Sequence, residues 1–199
     1  GDKVEAWLTD GPRISGLAFG PDGHAYAAVQ GQGDDKTKKI VRIDKDSQEI
    51  ITIATRVNPN DLVVSSNGML YFTDTGAGTV NAMPITARGM SRPSPIAGGI
   101  NKPNGIALDP KSGALFVSEY GGTHLWQFTF DAHGLLSGGE RRAVLTTPEG
   151  KPDSGGDGMV VDAEGHAYVT SHQGIQVFKN GVLLGRYPRP QDKATVSAI

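Results

Sequence analysis

The sequence predicts an all-β fold, a β-propeller built of four-stranded blades. Three observations lead to this prediction. Glycine and proline are abundant, with 28 Gly and 12 Pro among 199 residues, which suits short strands joined by many turns. A pattern of apolar runs and glycine-bearing turns recurs four times along the chain. No long segment shows the periodicity of an amphipathic helix.

Each repeat opens with an apolar strand whose first residue is polar. A short turn with a glycine follows, which permits a tight hairpin, and then comes an aromatic-bearing second strand. The repeats open at residues 15, 60, 104 and 157, so they are 45, 44 and 53 residues apart, as propeller blades are. The predicted first strands are Ser15–Phe19, Asn60–Val64, Asn104–Leu108 and Asp157–Val161, and the second strands are Ala25–Val29, Leu70–Thr73, Leu115–Ser118 and Ala167–Thr170.

Two further strands complete each repeat. The third strand alternates between apolar and polar residues, which is typical of a half-buried strand. The fourth is an outer strand. The predicted third strands are Ile40–Ile43, Leu125–Phe128 and Gly174–Phe178, and the outer strands are Ile50–Ala54, Pro95–Ala97, Arg142–Leu145 and Val182–Tyr187.

The two ends of the chain each carry a single predicted strand. Lys3–Leu8 resembles the outer strand of a preceding blade, and Thr195–Ile199 the inner strand of a following one. We therefore expect one propeller domain over residues 1–199, with four complete blades and most of the first and last blades lacking. A four-bladed ring with a two-strand seam is the alternative. Exposed blade edges favour self-association or a missing remainder of the propeller.

Charge and composition restrict the class of partner. The 19 Lys and Arg balance 21 Asp and Glu, which argues against a nucleic-acid or anionic membrane surface. The chain has no cysteine, so disulfides, thiolate metal sites and a cysteine nucleophile are excluded. No apolar run is long enough to cross a bilayer. We expect a soluble protein, either cytoplasmic or periplasmic and secreted.

The polar residues that open the first strands predict a metal site. The inner strands of a propeller run along its central channel, so these residues should lie together at the channel mouth. Three of the four are amides or a carboxylate, namely Asn60, Asn104 and Asp157, while Ser15 opens the first repeat. Such oxygens suit a hard cation, most of all Ca²⁺, with Mg²⁺, Zn²⁺ and Mn²⁺ as alternatives. The alternative is that these residues have only a structural role, since Asn and Asp side chains also cap local turns.

The second strands should return to the same mouth, so their last residues are candidates for substrate contact. These are Gln30, Asp74, Glu119 with Tyr120, and Ser171 with His172. His172 could serve as a general acid or base near neutral pH. The residues of the glycine turns should lie at the opposite end and be structural: Asp22, Asn67, Lys111 and Glu164.

At these positions the sequence resembles the gluconolactonase / senescence marker protein (regucalcin-like) family of six-bladed propellers. The resemblance is carried by Asn58–Val64 with Leu70–Asp74, Lys102–Leu108 with Leu115–Glu119, Gly156–Asp162 with His166–Thr170, and Gly174–Phe178 with Gly181–Gly185. It covers nearly the whole chain in the same order. It implies six blades in the full protein, one divalent cation at the channel mouth, and hydrolysis of a small-molecule lactone or related ester.

The resemblance also implies roles for individual residues. The cation ligands are Asn104 and Asp157, with Asn60 as a further donor near the metal and substrate. Asn58 stands where some members have a substrate-binding arginine, and the glutamate ligand of the family belongs to a position before Gly1. In the implied mechanism Asp157 holds the cation and accepts a proton from the attacking water, and His172 or Glu119 assists proton transfer. Together with Asp74 and Tyr120, at the ends of their second strands, we expect Asn60 and Asn58 to contact the substrate.

Two other classes share parts of this pattern. An NHL-like propeller would bind a protein or small ligand at its rim without catalysis, because propeller repeats in general share these turns and strands. A strictosidine-synthase-like or paraoxonase-like propeller would carry Pro103–Ala107 and Ser118–Glu119. A divalent cation in contact with Asn104 and Asp157 distinguishes the lactonase hypothesis from the binding propeller.

Overall fold

Four antiparallel sheets make up the structure. The computed structural model describes residues 5–8, 11–31, 37–86, 89–131 and 136–189, except for the side chain of Ser137. Within these residues sixteen strands form four sheets of four strands each, and there is no α-helix. In every sheet the strands lie in chain order, from an inner strand to an outer one. The predicted all-β class and four-stranded blades are confirmed, and the blade number of the full propeller stays a prediction.

The strand bounds follow the sequence repeat closely. The strand Thr79–Pro84 has no predicted counterpart, because its sequence mixes polar residues and a terminal proline with only a few apolar ones. Blade 1 holds β1 (Ile14–Phe19), β2 (Ala25–Val29), β3 (Lys39–Ile43) and β4 (Ile50–Thr55), and blade 2 holds β5 (Pro59–Val64), β6 (Met69–Asp74), β7 (Thr79–Pro84) and β8 (Ser94–Gly98). Blade 3 holds β9 (Pro103–Leu108), β10 (Leu115–Glu119), β11 (His124–Phe130) and β12 (Leu136–Val144), and blade 4 holds β13 (Met159–Val161), β14 (His166–Ser171), β15 (Gly174–Lys179) and β16 (Val182–Tyr187).

The described part of the predicted first terminal strand is not a strand. Residues 5–8 lie outside any strand, and Leu8 packs against the apolar face of blade 1 instead. Lys3, Val4 and Thr195–Ile199 lie outside the described residues.

Three apolar clusters of the core each lie between two neighbouring blades, and a fourth lies within blade 1. Tyr26 and Phe72 lie in the cluster between blades 1 and 2. Tyr71 and Phe128 lie in the cluster between blades 2 and 3, and Phe178 lies between blades 3 and 4. Burial of each such large side chain contributes about 1.5–3 kcal/mol to stability. These clusters keep the blades, and therefore the inner strands, at fixed positions relative to one another.

Each blade has two distinct ends. At the upper end the inner strand begins and the second strand finishes; at the lower end a turn joins the two. The predicted turn glycines occupy the lower end with positive φ angles of 71–81°, at Gly23, Gly68, Gly113 and Gly165. The inner strands β1, β5, β9 and β13 lie beside one another in chain order. Leu17 and Phe19 of β1 are 50% and 66% exposed, and Leu17 lines a groove.

Candidate functional site

A groove of about 860 Å³ runs along the inner strands of all four blades. It is of the size that small-molecule sites have. The four residues that open the sequence repeats all contribute to its wall: Ser15, Asn60, Asn104 and Asp157. We call Asn60, Asn104 and Asp157 the rim residues. The structure therefore brings together the three residues predicted to hold a cation, each from a different blade.

A hydroxyl group of the preceding blade holds the main chain of each rim residue. Thr73 donates a hydrogen bond to the carbonyl oxygen of Asn104 at 2.6 Å, and Ser118 donates one to that of Asp157 at 2.7 Å. Ser15 donates in the same way to the carbonyl oxygen of Asn60. Since these bonds use main-chain oxygens, they fix the rim residues and leave their side chains free to face the groove.

Glycines at the next position let the inner strands approach closely. A Cβ atom on Gly105 would overlap the carbonyl oxygen of Asp157 and the amide nitrogen of Met159 on the neighbouring blade. Any larger residue would force the two strands apart. The close approach brings the Asn104 amide near the Asp157 carboxylate, where it favours the charged form of that acid.

The electrostatics of Asp157 reflect this half-buried place. Burial raises the pKa of the Asp157 carboxyl above its ordinary value. The hydrogen bond from the Gly158 amide, the Asn104 side chain and the positive charge of protonated His172 offset part of that rise. A cation beside Asp157 would stabilise its charged form further.

Asp61 is a second acid in the groove, and sequence reasoning missed it. It takes the place that glycine has in the other three repeats, at Gly16, Gly105 and Gly158. Its carboxylate accepts hydrogen bonds from the amides of Leu62 at 2.9 Å and Ile106 at 3.1 Å. Burial raises the pKa of Asp61 to about 7, and the negative charge of Asp157 contributes to the rise. The signal was present in the sequence, since Asp61 is the exception to a repeated glycine.

His172 lies at the upper end of blade 4, held by a partner that the sequence did not indicate. Its Nε2 lies 3.0 Å from a carboxylate oxygen of Asp153, and its ring packs so closely on Gly155 that a Cβ there would overlap it. The Tyr120 ring meets it edge-on, with the ring centres 6.0 Å apart. Among the described residues no side chain bonds to Nδ1. An orienting acid, a histidine and a free ring nitrogen form an arrangement suited to proton transfer.

The structure does not bring Glu119 to the groove. Its side chain is 3% exposed and accepts hydrogen bonds from the Trp126 ring nitrogen at 2.8 Å and from the amides of Asn101 and His124 at 3.2 Å. His124 Nδ1 lies 2.9 Å away as well. Burial raises the pKa of Glu119, but these hydrogen bonds outweigh it and the pKa is lower than usual. Glu119 therefore secures a turn, contrary to the expectation that it assists proton transfer at the groove.

Asn58 and Asp74 lie together at the upper end of blade 2. A Cβ on Gly76 would lie 2.7 Å from the Asn58 amide nitrogen and 3.6 Å from an Asp74 carboxylate oxygen. Asp74 also accepts a hydrogen bond from the Ala77 amide at 2.8 Å. Gln30, by contrast, contributes to the groove wall and donates to the Pro59 carbonyl oxygen at 2.7 Å.

A second polar cluster lies at the lower end of blade 4. Asp162, Glu164 and His166 place ligand atoms within 4.8 Å of one another. Asp162, however, already accepts hydrogen bonds from the His166 amide at 2.8 Å and the Tyr168 hydroxyl at 3.1 Å, and lies 2.9 Å from His166 Nδ1. The lower-end cluster thus closes a turn on itself, as was predicted for Glu164.

The rim residues fit a divalent cation by their chemistry. Asn104 and Asp157 are in contact, and the Asn60 amide has no hydrogen-bond partner among the described residues. One carboxylate and two amide oxygens from three strands are donors that Ca²⁺ and Mg²⁺ prefer. The family suggests a divalent metal, and the groove offers a donor set for one.

Fold and groove together define a β-propeller with an oxygen-donor site where its inner strands begin. The chain belongs to the SMP-30/Gluconolactonase/LRE-like family, whose profile matches residues 48–199. The gluconolactonase of Zymomonas mobilis is 28% identical over 87% of this chain and 54% of its own length. The chain thus spans about half the length of that relative.

Solved structures agree with this assignment. A gluconolactonase from Xanthomonas campestris superposes with a TM-score of 0.68 at 26% identity, covering 87% of this chain and 61% of the other. Virginiamycin B lyase from Staphylococcus aureus shares the fold, with a TM-score of 0.62 and 18% identity over 93% of this chain and 59% of its own. The described residues contain no helix that could span a membrane.

Proposed function

We propose that this protein is a lactone hydrolase in which a bound divalent cation, Ca²⁺ before Mg²⁺, Zn²⁺ or Mn²⁺, assists the attack of water. The observation that supports it is the convergence of the rim residues Asn60, Asn104 and Asp157 in one groove. Membership of a family whose relatives include gluconolactonases supports the choice of a lactone as substrate. The substrate class is a small-molecule lactone or related ester.

Asn60, Asn104 and Asp157 would hold the cation. When bound, a divalent cation polarises a carbonyl group and lowers the pKa of a water molecule. The chain's own contribution is to fix the donors: Thr73 and Ser118 hold Asn104 and Asp157 by their main-chain oxygens. Because these bonds lie between blades, the donor geometry depends on blade packing and not on a mobile loop.

Proton transfer falls to Asp157 and His172. A carboxylate oxygen of Asp157 accepts the proton of the attacking water as the oxygen adds to the lactone carbonyl carbon. The ring C–O bond then breaks, and the leaving oxygen takes a proton from His172 Nδ1, while Asp153 holds Nε2 at 3.0 Å. Asn58, Asp74 and Tyr120, at the upper end of their blades, would contact the substrate hydroxyls.

A comparison of two aspartates tests the proposal. The assay follows lactone opening by the acid that it releases. It is run first on protein stripped of metal with a chelator, and then after Ca²⁺, Mg²⁺, Mn²⁺ or Zn²⁺ has been added back. Asp157→Asn should lower kcat/KM at least about 100-fold, whereas Asp162→Asn, in the lower-end cluster, should keep it within about twofold. Full activity without metal, or equal losses in the two variants, would contradict the proposal. Cation-independent ligand binding without turnover would favour the NHL-like binding propeller.

A further inference from the structure

Arg13 supplies a positive charge to the groove, at a repeated position. It lies two residues before Ser15, which opens the first repeat. The residues two positions before the rim residues of the other blades are Asn58, Lys102 and Gly155. Of these four residues only Arg13 contributes to the groove wall. Its main chain is anchored, because the Gln30 amide donates to its carbonyl oxygen at 2.9 Å.

The guanidinium of Arg13 is available to a ligand. Arg13 is the one Lys or Arg that lines the groove within the part of the chain that the structure describes. No ion pair or side-chain hydrogen bond joins it to any of those residues. A guanidinium offers paired N–H donors in a plane that match the two oxygens of a carboxylate. The group therefore has the chemistry of an anion site.

The groove carries its charged side chains at separate places. The Asp61 carboxylate lies against Gly16 of β1, Asp157 precedes β13, and Arg13 precedes β1. Between Arg13 and Asp157 the inner strands of blades 2 and 3 intervene. A ligand that lies along the groove would place one end near Asn104 and Asp157 and its other end towards Arg13. Among the described residues that line the groove, Arg13 carries the one guanidinium that this far end would meet.

We infer that Arg13 is a specificity-determining residue that binds a carboxylate carried by the substrate at the end remote from its lactone carbonyl. This inference rests on the proposed function, which places the lactone carbonyl at the rim residues. The substrate class is then the lactones of sugar diacids, in which the last carbon is a carboxylate, rather than those of simple sugar acids, in which it is a hydroxymethyl group. Gln30, which also lines the groove, is a neutral side chain near Arg13.

A pair of lactones that differ at a single carbon tests this. D-glucaro-1,4-lactone carries a carboxylate at C6, where D-glucono-1,4-lactone carries a hydroxymethyl group. Arg13→Gln should raise KM for the glucarolactone about 10- to 100-fold, the loss of a charge-assisted bond, and leave both constants for the gluconolactone within about twofold. Arg13→Lys should recover part of the loss. Arg186→Gln, on the exposed outer strand of blade 4, is the matched control and should change neither lactone.

The outcomes separate the two proposals. Equal losses on both lactones, or no loss on the glucarolactone, would overturn the role of Arg13 while the lactonase stands. If the wild-type protein opens neither lactone, the proposed function fails, and calorimetry with the open-chain acids D-glucarate and D-gluconate decides on Arg13. Glucarate binding that weakens at least about tenfold in Arg13→Gln, with gluconate binding unchanged, supports the anion site. Equal binding by both proteins, or no glucarate binding by the wild type, overturns it.

Discussion

The upper and lower ends of the blades carry similar polar residues but use them differently. At the lower end, Asp22 accepts from the Tyr26 hydroxyl at 2.7 Å, and Asp162 accepts from that of Tyr168 at 3.1 Å. Each such acid bonds within its own turn. At the upper end, the rim residues come from three different blades and meet across the groove. Their main chains are held, whereas their side chains face an open space.

The acids of the two ends also differ in pKa. At the lower end, hydrogen bonds outweigh burial and lower the pKa of Asp109 and that of Asp162, the latter to about 2. In the groove, burial raises the pKa of Asp61 and Asp157. Residue type alone therefore does not identify a ligand site, because what matters is whether the local main chain has already satisfied the oxygen.

The largest expected contrast is between two asparagines. Asn104→Ala removes one of the three proposed cation donors and should lower kcat/KM about 1,000-fold, because the cation that assists the attack of water loses its fixed position. Asn67→Ala, in a lower-end turn where Asn67 accepts from the Met69 amide at 3.3 Å, should keep activity within about twofold. Steady-state assays with added Ca²⁺ measure both. Loss of activity in both variants would mean that the ends do not differ in function.

Proton transfer at the upper end is the next test. His172→Gln keeps a polar side chain of similar reach but cannot exchange a proton, and should lower kcat about 100-fold. Asp153→Asn should lower it about tenfold, because the histidine remains but its orienting charge is lost. His166→Gln at the lower end is the control and should change kcat less than twofold. A wild-type kcat in His172→Gln would remove this residue from the mechanism.

The raised pKa of Asp61 predicts a pH-dependent stability. Its pKa rises from 3.8 unfolded to about 7 folded, so the folded state binds the proton more tightly. The stabilisation is complete below pH 4 and is lost as pH rises to about 7. In chelator, the unfolding free energy should fall between pH 5 and pH 8, with about 2 kcal/mol of that fall absent in Asp61→Asn. Asp109→Asn is the control: the lowered pKa of Asp109 affects stability only below pH 4, so the fall in unfolding free energy should be unchanged. If Asp61→Asn also kept the wild-type pH dependence of the unfolding free energy, the burial of Asp61 would be contradicted.

The smallest contrast concerns two serines. Ser118 is fully buried, accepts from the Gly105 amide at 3.0 Å and donates to the Asp157 carbonyl oxygen. Ser118→Ala should cost about 1–2 kcal/mol, because a buried amide loses its partner. Ser112→Ala, in an exposed lower-end turn, should cost less than about 0.5 kcal/mol. Urea denaturation measures the unfolding free energy of both variants. Equal losses would show that the Ser118 hydroxyl between the blades adds no more stability than an exposed one.

Local repetition made the fold and the rim predictable. Each hairpin consists of a strand, a glycine turn and a second strand that are adjacent in sequence. The blades, and the position of Asn60, Asn104 and Asp157 at the upper end, could therefore be predicted from the sequence. The pairing of His172 with Asp153 could not, because it depends on the path of the loop between β12 and β13. Glu119 was expected at the groove, yet donors from Asn101, His124 and Trp126, contributed by neighbouring loops and β11, bind it first. The paths of the loops at the upper end decide such partners, and the alternation of apolar and polar residues along one strand does not indicate them.

Anomalous diffraction from crystals soaked in Mn²⁺ compares the two ends in a single measurement. The proposed function predicts a peak in the groove, with oxygens of Asn60, Asn104 and Asp157 as its donors, and none beside Asp162, Glu164 and His166. A peak in that lower-end cluster with none in the groove, or no peak at either place, would contradict the claim that the blades bring their opening residues together around a cation.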